Sequence, residues 1–138
     1  MGALHRLLEE LLGVLAKLSE EAARGVPVLV EGPSDVKALR ELGVEGFLVA
    51  VKAKRKPVVD LVLELADVAD EVIVLADFDP EGREHAREWA YELERVGLKA
   101  NLSFWRHLMG LVGSLAKDIE GLPSLVETLM RKTGHRLG

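Results

Sequence analysis

No cysteine occurs among the 138 residues, which excludes disulfides, zinc–thiolate sites and thiol nucleophiles. Any metal must therefore be held by oxygen or imidazole. Aromatic residues make up only 4% of the chain, and Tyr91 is the single candidate for tyrosine chemistry. No apolar run approaches the roughly 20 residues needed to cross a bilayer. The N-terminal leucines alternate with Glu9, Glu10 and Lys17 instead of forming a signal-peptide core, so the chain is expected to be cytoplasmic with no membrane partner. Positive charge is also short: 18 Lys and Arg against 23 Asp and Glu give a net charge of −5. That balance counts against a protein that grips nucleic acid over its whole surface, because such affinity comes largely from cations neutralising phosphates. Basic contacts must be local, and the run Lys52, Lys54, Arg55 and Lys56 is the evident one.

What is present is a hydrophobic fraction of 49%, enough for one domain spanning 1–138 and too short a chain for two ordinary ones. Leu4, Leu7, Leu8, Leu11, Leu12, Leu15 and Leu18 recur at three- and four-residue steps, the stripe of an amphipathic helix within residues 1–25. This stripe reads as core cover, with homodimerisation as the secondary reading. Gly25 and Pro27 end it, and Val28 to Val30 has the β-branched apolar character of a buried parallel strand. A helix from Pro33 to Leu42, a second strand from Phe47 to Val51, a basic loop and a helix opened by Pro57 follow. Glu71 to Ala76, with Val72 to Leu75 as its unbroken apolar run, reads as a third strand, followed by a helix to about Val96 and a fourth strand over Lys99 to Ser103. From Trp105 onward the chain reads as helical to its end, with breaks at Gly121 and Pro123. The alternation predicts an α/β fold with a parallel sheet flanked by helices, a core over 26–103 and a helical extension over 104–138.

Ligands of such sheets bind at the carboxyl ends of the strands. Glu31 follows the first strand directly and Asp77 the third, with Asp79 two positions on. If those strands are neighbours, three carboxylates converge, and a hard cation such as magnesium relieves their repulsion. Gly32 and Gly82 suit turns where a Cβ obstructs close approach. Arg83, at a helix start, is placed to engage a phosphate. An aspartate after a strand is more often a turn former or cap when met alone. Two such motifs, each following an apolar strand and opening a helix, favour the functional reading.

Glu31-Gly32-Pro33-Ser34-Asp35 and Asp77-Phe78-Asp79-Pro80-Glu81-Gly82-Arg83 resemble the two signatures of the Toprim domain, over roughly Val26 to Ser103. The resemblance implies a four-stranded parallel sheet in the order 2-1-3-4. It also implies Glu31 as general acid or base, Asp77 and Asp79 as metal-binding aspartates, and Asp35 as the acidic residue four positions after the glutamate. With Glu31 as a further ligand, the expected metal set is Glu31, Asp77 and Asp79, holding Mg²⁺ or Mn²⁺. Among Toprim proteins, topoisomerases need a nucleophilic tyrosine, whereas Tyr91 falls within a predicted helix; primases of this type carry a zinc module. The small stand-alone members, similar to the ribonuclease that matures 5S ribosomal RNA, remain.

The expectation is a metal-dependent nuclease acting on RNA or DNA, with Lys52, Lys54, Arg55, Lys56, Arg83 and Lys117 as candidate nucleic-acid contacts. The rival is a non-catalytic binding or assembly module that uses metal to bridge phosphates, alone or with a partner protein. A phosphoacceptor of the CheY type is disfavoured by the glutamate-first pattern. Asp118 and Glu120 are weaker candidates for reaching the site. His85 and His107 read as surface or packing residues, and Trp89, Phe104 and Trp105 as packing.

Overall fold

In the computed structural model, which describes residues 2–134, four strands form one parallel sheet: β1 (Val28–Val30), β2 (Leu48–Ala50), β3 (Glu71–Leu75) and β4 (Lys99–Asn101). Their spatial order is β2-β1-β3-β4, the order expected. Seven helices surround the sheet: α1 (Ala3–Ala23), α2 (Pro33–Glu41), α3 (Val51–Lys54), α4 (Val58–Ala66), α5 (Pro80–Arg95), α6 (Ser103–Val112) and α7 (Leu122–Lys132). Every residue of β1, and four of the five in β3, is buried. Successive strand residues point to opposite faces, so both faces of the central strands are covered. On one side α4 packs with α5; elsewhere α1 packs on α6 and α7, and α2 on α7 and the 3₁₀ turn at Ile119–Gly121.

The leucine stripe of α1 finds its cover within the chain. Leu8, Leu11, Leu15 and Leu18 are buried in the same core as the strands, whereas Leu4 and Leu12 stay exposed. No helix among the described residues is long and apolar enough to cross a membrane.

Three boundaries depart from the sequence reading. The stretch after β2 is not a loop throughout: Val51 starts α3, which ends where Arg55 adopts left-handed backbone with φ 53°. The fourth strand is shorter than expected, because Ser103 already opens α6. Pro123 does not break the C-terminal region but stands in the first turn of α7, where the missing N–H has no helical partner to lose. The true interruption runs from Gly113 to Asp118. The helix expected to run to the chain's end stops at Lys132, and residues 135–138 lie outside the described residues.

Candidate metal and phosphate site at the carboxyl edge of the sheet

Register brings the two motifs together. Val30 pairs with Ala50 on one side and with Leu75 on the other, so Glu31, Lys52 and Asp77 leave the sheet along one edge. The Lys52 N–H donates to the Glu31 carbonyl at 2.9 Å, extending the ladder past the last strand residue.

Glu31 is 4% exposed. Its Oε2 accepts the Asp77 backbone N–H at 3.2 Å, and its Oε1 lies 2.7 Å from His85 Nδ1. A buried carboxylate requires such partners. His85 comes from the second turn of α5 and stacks on Trp89, with ring centroids 5.7 Å apart and planes 5° from parallel. A small recess of about 170 Å³ opens beside this pair, lined by Glu31, Lys52 and His85 with Val51, Val58 and Trp89.

Asp77 has the opposite condition: its Oδ1 is buried with no hydrogen-bond partner among the described residues. Burial raises its pKa to about 7, helped by repulsion from Glu31, Asp35, Asp118 and Asp79. Asp35 is also pushed up, first by burial and then by Asp118, Glu31 and Glu120, although the Gly32 N–H donates to its Oδ2 at 3.0 Å and opposes the shift. Asp79 caps α5, its Oδ1 accepting from the Gly82 N–H at 2.8 Å. Gly82 is obligatory here, since a Cβ would stand 2.2 Å from the Asp77 carbonyl oxygen. Gly32 is not: a Cβ there would meet only the Lys52 side chain, at 3.8 Å.

The C-terminal segment closes the aspartate loop from the other side. The Phe78 N–H donates to the Lys117 carbonyl at 2.7 Å, and Trp105 Nε1–H donates to the Asp77 carbonyl at 3.3 Å. Lys117 thus touches the site through its backbone, while Asp118 adds negative charge.

Of the basic candidates, Lys52 lines the recess and Lys54 and Arg55 are exposed beyond it, whereas Lys56 is drawn to Glu64 of α4. Arg83 is exposed on the first turn of α5, and neither it nor Lys54 or Arg55 has an ion-pair partner among the described residues. His107 is exposed on α6 and lines a different hollow, against α1.

The sequence reading set His85 aside. Its signal was faint: it lies on a helix that starts at the acidic edge, but nothing in the local pattern aims it at Glu31.

The donor set is all oxygen and imidazole, it repels itself, and the orphaned Asp77 oxygen is of the kind that a hard cation satisfies. Among the described residues, no three His, Asp or Glu side chains already stand closed on one point. Both Glu31 oxygens face partners within the chain, whereas Asp77 keeps a buried oxygen with no partner among the described residues.

Fold and site together define a doubly covered parallel α/β protein with mutually repelling carboxylates where its central strands end. A family model for the Toprim domain matches residues 26–105, and the chain belongs to the Toprim family. Toprim domains bind divalent metal ions, and the family's roles are metal-dependent and concern nucleic acid. Similar proteins are small and archaeal, and carry the name UPF0292 protein. One from Methanosarcina barkeri is 32% identical over 131 residues, covering 95% of this chain and 90% of that protein. One from Methanocaldococcus jannaschii is 36% identical over 119 residues, covering 86% and 91%. A solved structure of a protein from Aquifex aeolicus superposes with a TM-score of 0.67 at 25% identity, covering 78% of this chain and 94% of that one.

Proposed function

We propose that this chain is a magnesium-dependent nuclease that hydrolyses phosphodiester bonds in nucleic acid. The observation that carries the reading is the buried Oδ1 of Asp77, without a partner among the described residues, on the residue whose backbone N–H donates to the buried carboxylate of Glu31. Asp77 and Asp79, with Glu31 adjacent, are the residues that hold the ion. A divalent cation bound there offsets phosphate charge and acidifies water.

The remaining work belongs to the chain. Glu31 is the base that takes a proton from the attacking water, whose oxygen forms the new P–O bond as the ester P–O bond breaks and the leaving oxygen takes a proton from solvent water. His85 fixes the Glu31 carboxylate in one orientation, and the apolar walls of the recess limit the water around it. Lys52, Lys54, Arg55 and Arg83 hold the backbone on either side of the reacting phosphate.

Purified wild type and Asp77→Ala/Asp79→Ala are incubated with labelled structured RNA and DNA in Mg²⁺, Mn²⁺ or EDTA, following cleavage and binding together. Metal-dependent cutting by wild type alone is the expected result, and its absence with every probe sinks the nuclease. A second reading has its own support in Glu31, whose oxygens both face partners within the chain: a module that bridges phosphates through metal without turnover. Tight metal-dependent binding with intact probes selects it.

A further inference from the structure

The sheet order aligns more than the two acidic motifs. Reading across the carboxyl edge from β2 to β4, the chain presents the Lys52–Arg55 segment, then Glu31, then the Asp77–Asp79 loop, and last the start of α6 after β4. Three strand intervals make this edge about 14 Å wide. At its β4 end, α5 and α6 enclose a cleft of about 460 Å³ lined by Arg83, Arg87 and Arg106 around an apolar floor of Leu102, Trp105 and Met109.

Two properties set this cleft apart. Among the described residues no carboxylate lines it, although the protein carries a net charge of −5 and the recess on the other side of α5 contains Glu31 and Glu88. Arg87 is paired with Glu84, but Arg83 and Arg106 have no ion-pair partner among the described residues. Two open guanidiniums beside an apolar floor match an anionic group joined to a flat, weakly polar one. The volume is that of a site for one small-molecule-sized unit, the usual range being about 300–1,000 Å³, and a base that lies on its apolar floor has left the stack of a duplex. The floor is continuous with the acidic site, because Trp105, whose ring lines it, holds the Asp77 carbonyl.

We propose that the α5–α6 cleft seats one nucleotide of a single-stranded segment flanking the reacting phosphate. Arg83 and Arg106 hold its phosphate, and Leu102, Trp105 and Met109 lie under its sugar and base. The strand then crosses the edge from the Lys52–Arg55 segment, over the carboxylates, into the cleft. This assignment rests on the phosphate-acting reading above and adds a substrate class to it: a single strand next to the cut, not a continuous duplex.

The test is fluorescence polarisation with short labelled single-stranded RNA and DNA and the matching duplexes, in Mg²⁺ and in EDTA at several salt concentrations, with probe integrity checked on gels. Wild type is compared with Arg83→Ala/Arg106→Ala, with Arg106→Lys, and with Arg24→Ala, which removes a charge next to Gly25 at the opposite end of β1; thermal melts verify folding. The double variant is expected to bind single strands at least about tenfold more weakly, with a salt slope lower by about one to two. Arg106→Lys should fall between, keeping charge but losing the planar fork, while Arg24→Ala binds as wild type.

Equal binding by wild type and the double variant, equal weakening by Arg24→Ala, or duplex bound as well as single strand each overturns the cleft and leaves the phosphate-acting site standing. If wild type binds no probe, the proposed function itself falls and takes the cleft with it.

Discussion

Gly82 and Asp77 show how closely side-chain size and charge are fixed at this edge. A methyl group at 82 would collide with the Asp77 carbonyl, so Gly82→Ala must push the aspartate loop away from α5. We expect it to cost about 2–4 kcal/mol in a denaturant melt and to weaken metal binding as well. Asp77 gives a signed pH prediction. Its carboxyl rises from an ordinary 3.8 to about 7 on folding, so between those values the folded state holds more protons than the unfolded one. Its contribution to stability is therefore greatest at low pH and is lost as pH rises through 7. In EDTA the wild type should lose thermal stability between pH 5 and pH 8 more steeply than Asp77→Asn. Mg²⁺ should restore the wild type at pH 8 and have little effect on the variant. At the same scale, His85→Ala removes the partner of Glu31 Oε1. On the nuclease reading, kcat should fall on the order of tenfold or more, with His85→Gln recovering part of the loss and Mg²⁺-induced stabilisation retained; unchanged turnover in both variants removes His85 from the site.

At the scale of elements, α1 lies outside the span matched by the Toprim family yet belongs to the same core as the sheet. Leu11 is fully buried while its neighbour Leu12 is 36% exposed, so one helix supplies its own control. Leu11→Ala should cost about 2–5 kcal/mol by leaving a cavity, and Leu12→Ala well under 1 kcal/mol. Equal effects would mean that α1 is not docked as described. The segment between α6 and α7 has a different task. Its Lys117 carbonyl holds the Phe78 N–H, and Asp118 adds to the repulsion felt by Asp77 and Asp35. The C-terminal region thus helps to build the site as well as to cover the sheet.

Across the whole molecule, the net charge of −5 disfavours broad contact with phosphates, and on the proposed function the contacts are made by the two basic zones that flank the acidic edge. Binding of nucleic acid should accordingly show a modest salt dependence, a slope of log K against log salt of about −2 to −4 from a few phosphate contacts. A slope near −8 would mean about twice as many phosphate contacts as these two zones provide and would overturn the assignment.

The sequence alone determined the periodicities and the two motifs. Apolar runs ending at Val30 and Ala76, each followed by an acidic residue and a helix opened by proline, specify strand-turn-helix units, because those signals are local. The resemblance carried by Glu31–Asp35 and Asp77–Arg83 added the strand order. The contacts made over long separations were decided only by the tertiary structure. His85 meets Glu31 across 54 positions, and Phe78 meets Lys117 across most of the C-terminal half. Arg106 reaches the side of Arg83 because α6 starts where β4 ends. Neither residue type nor spacing encodes such pairings; they follow from which strands are neighbours and from the packing of both faces of the sheet.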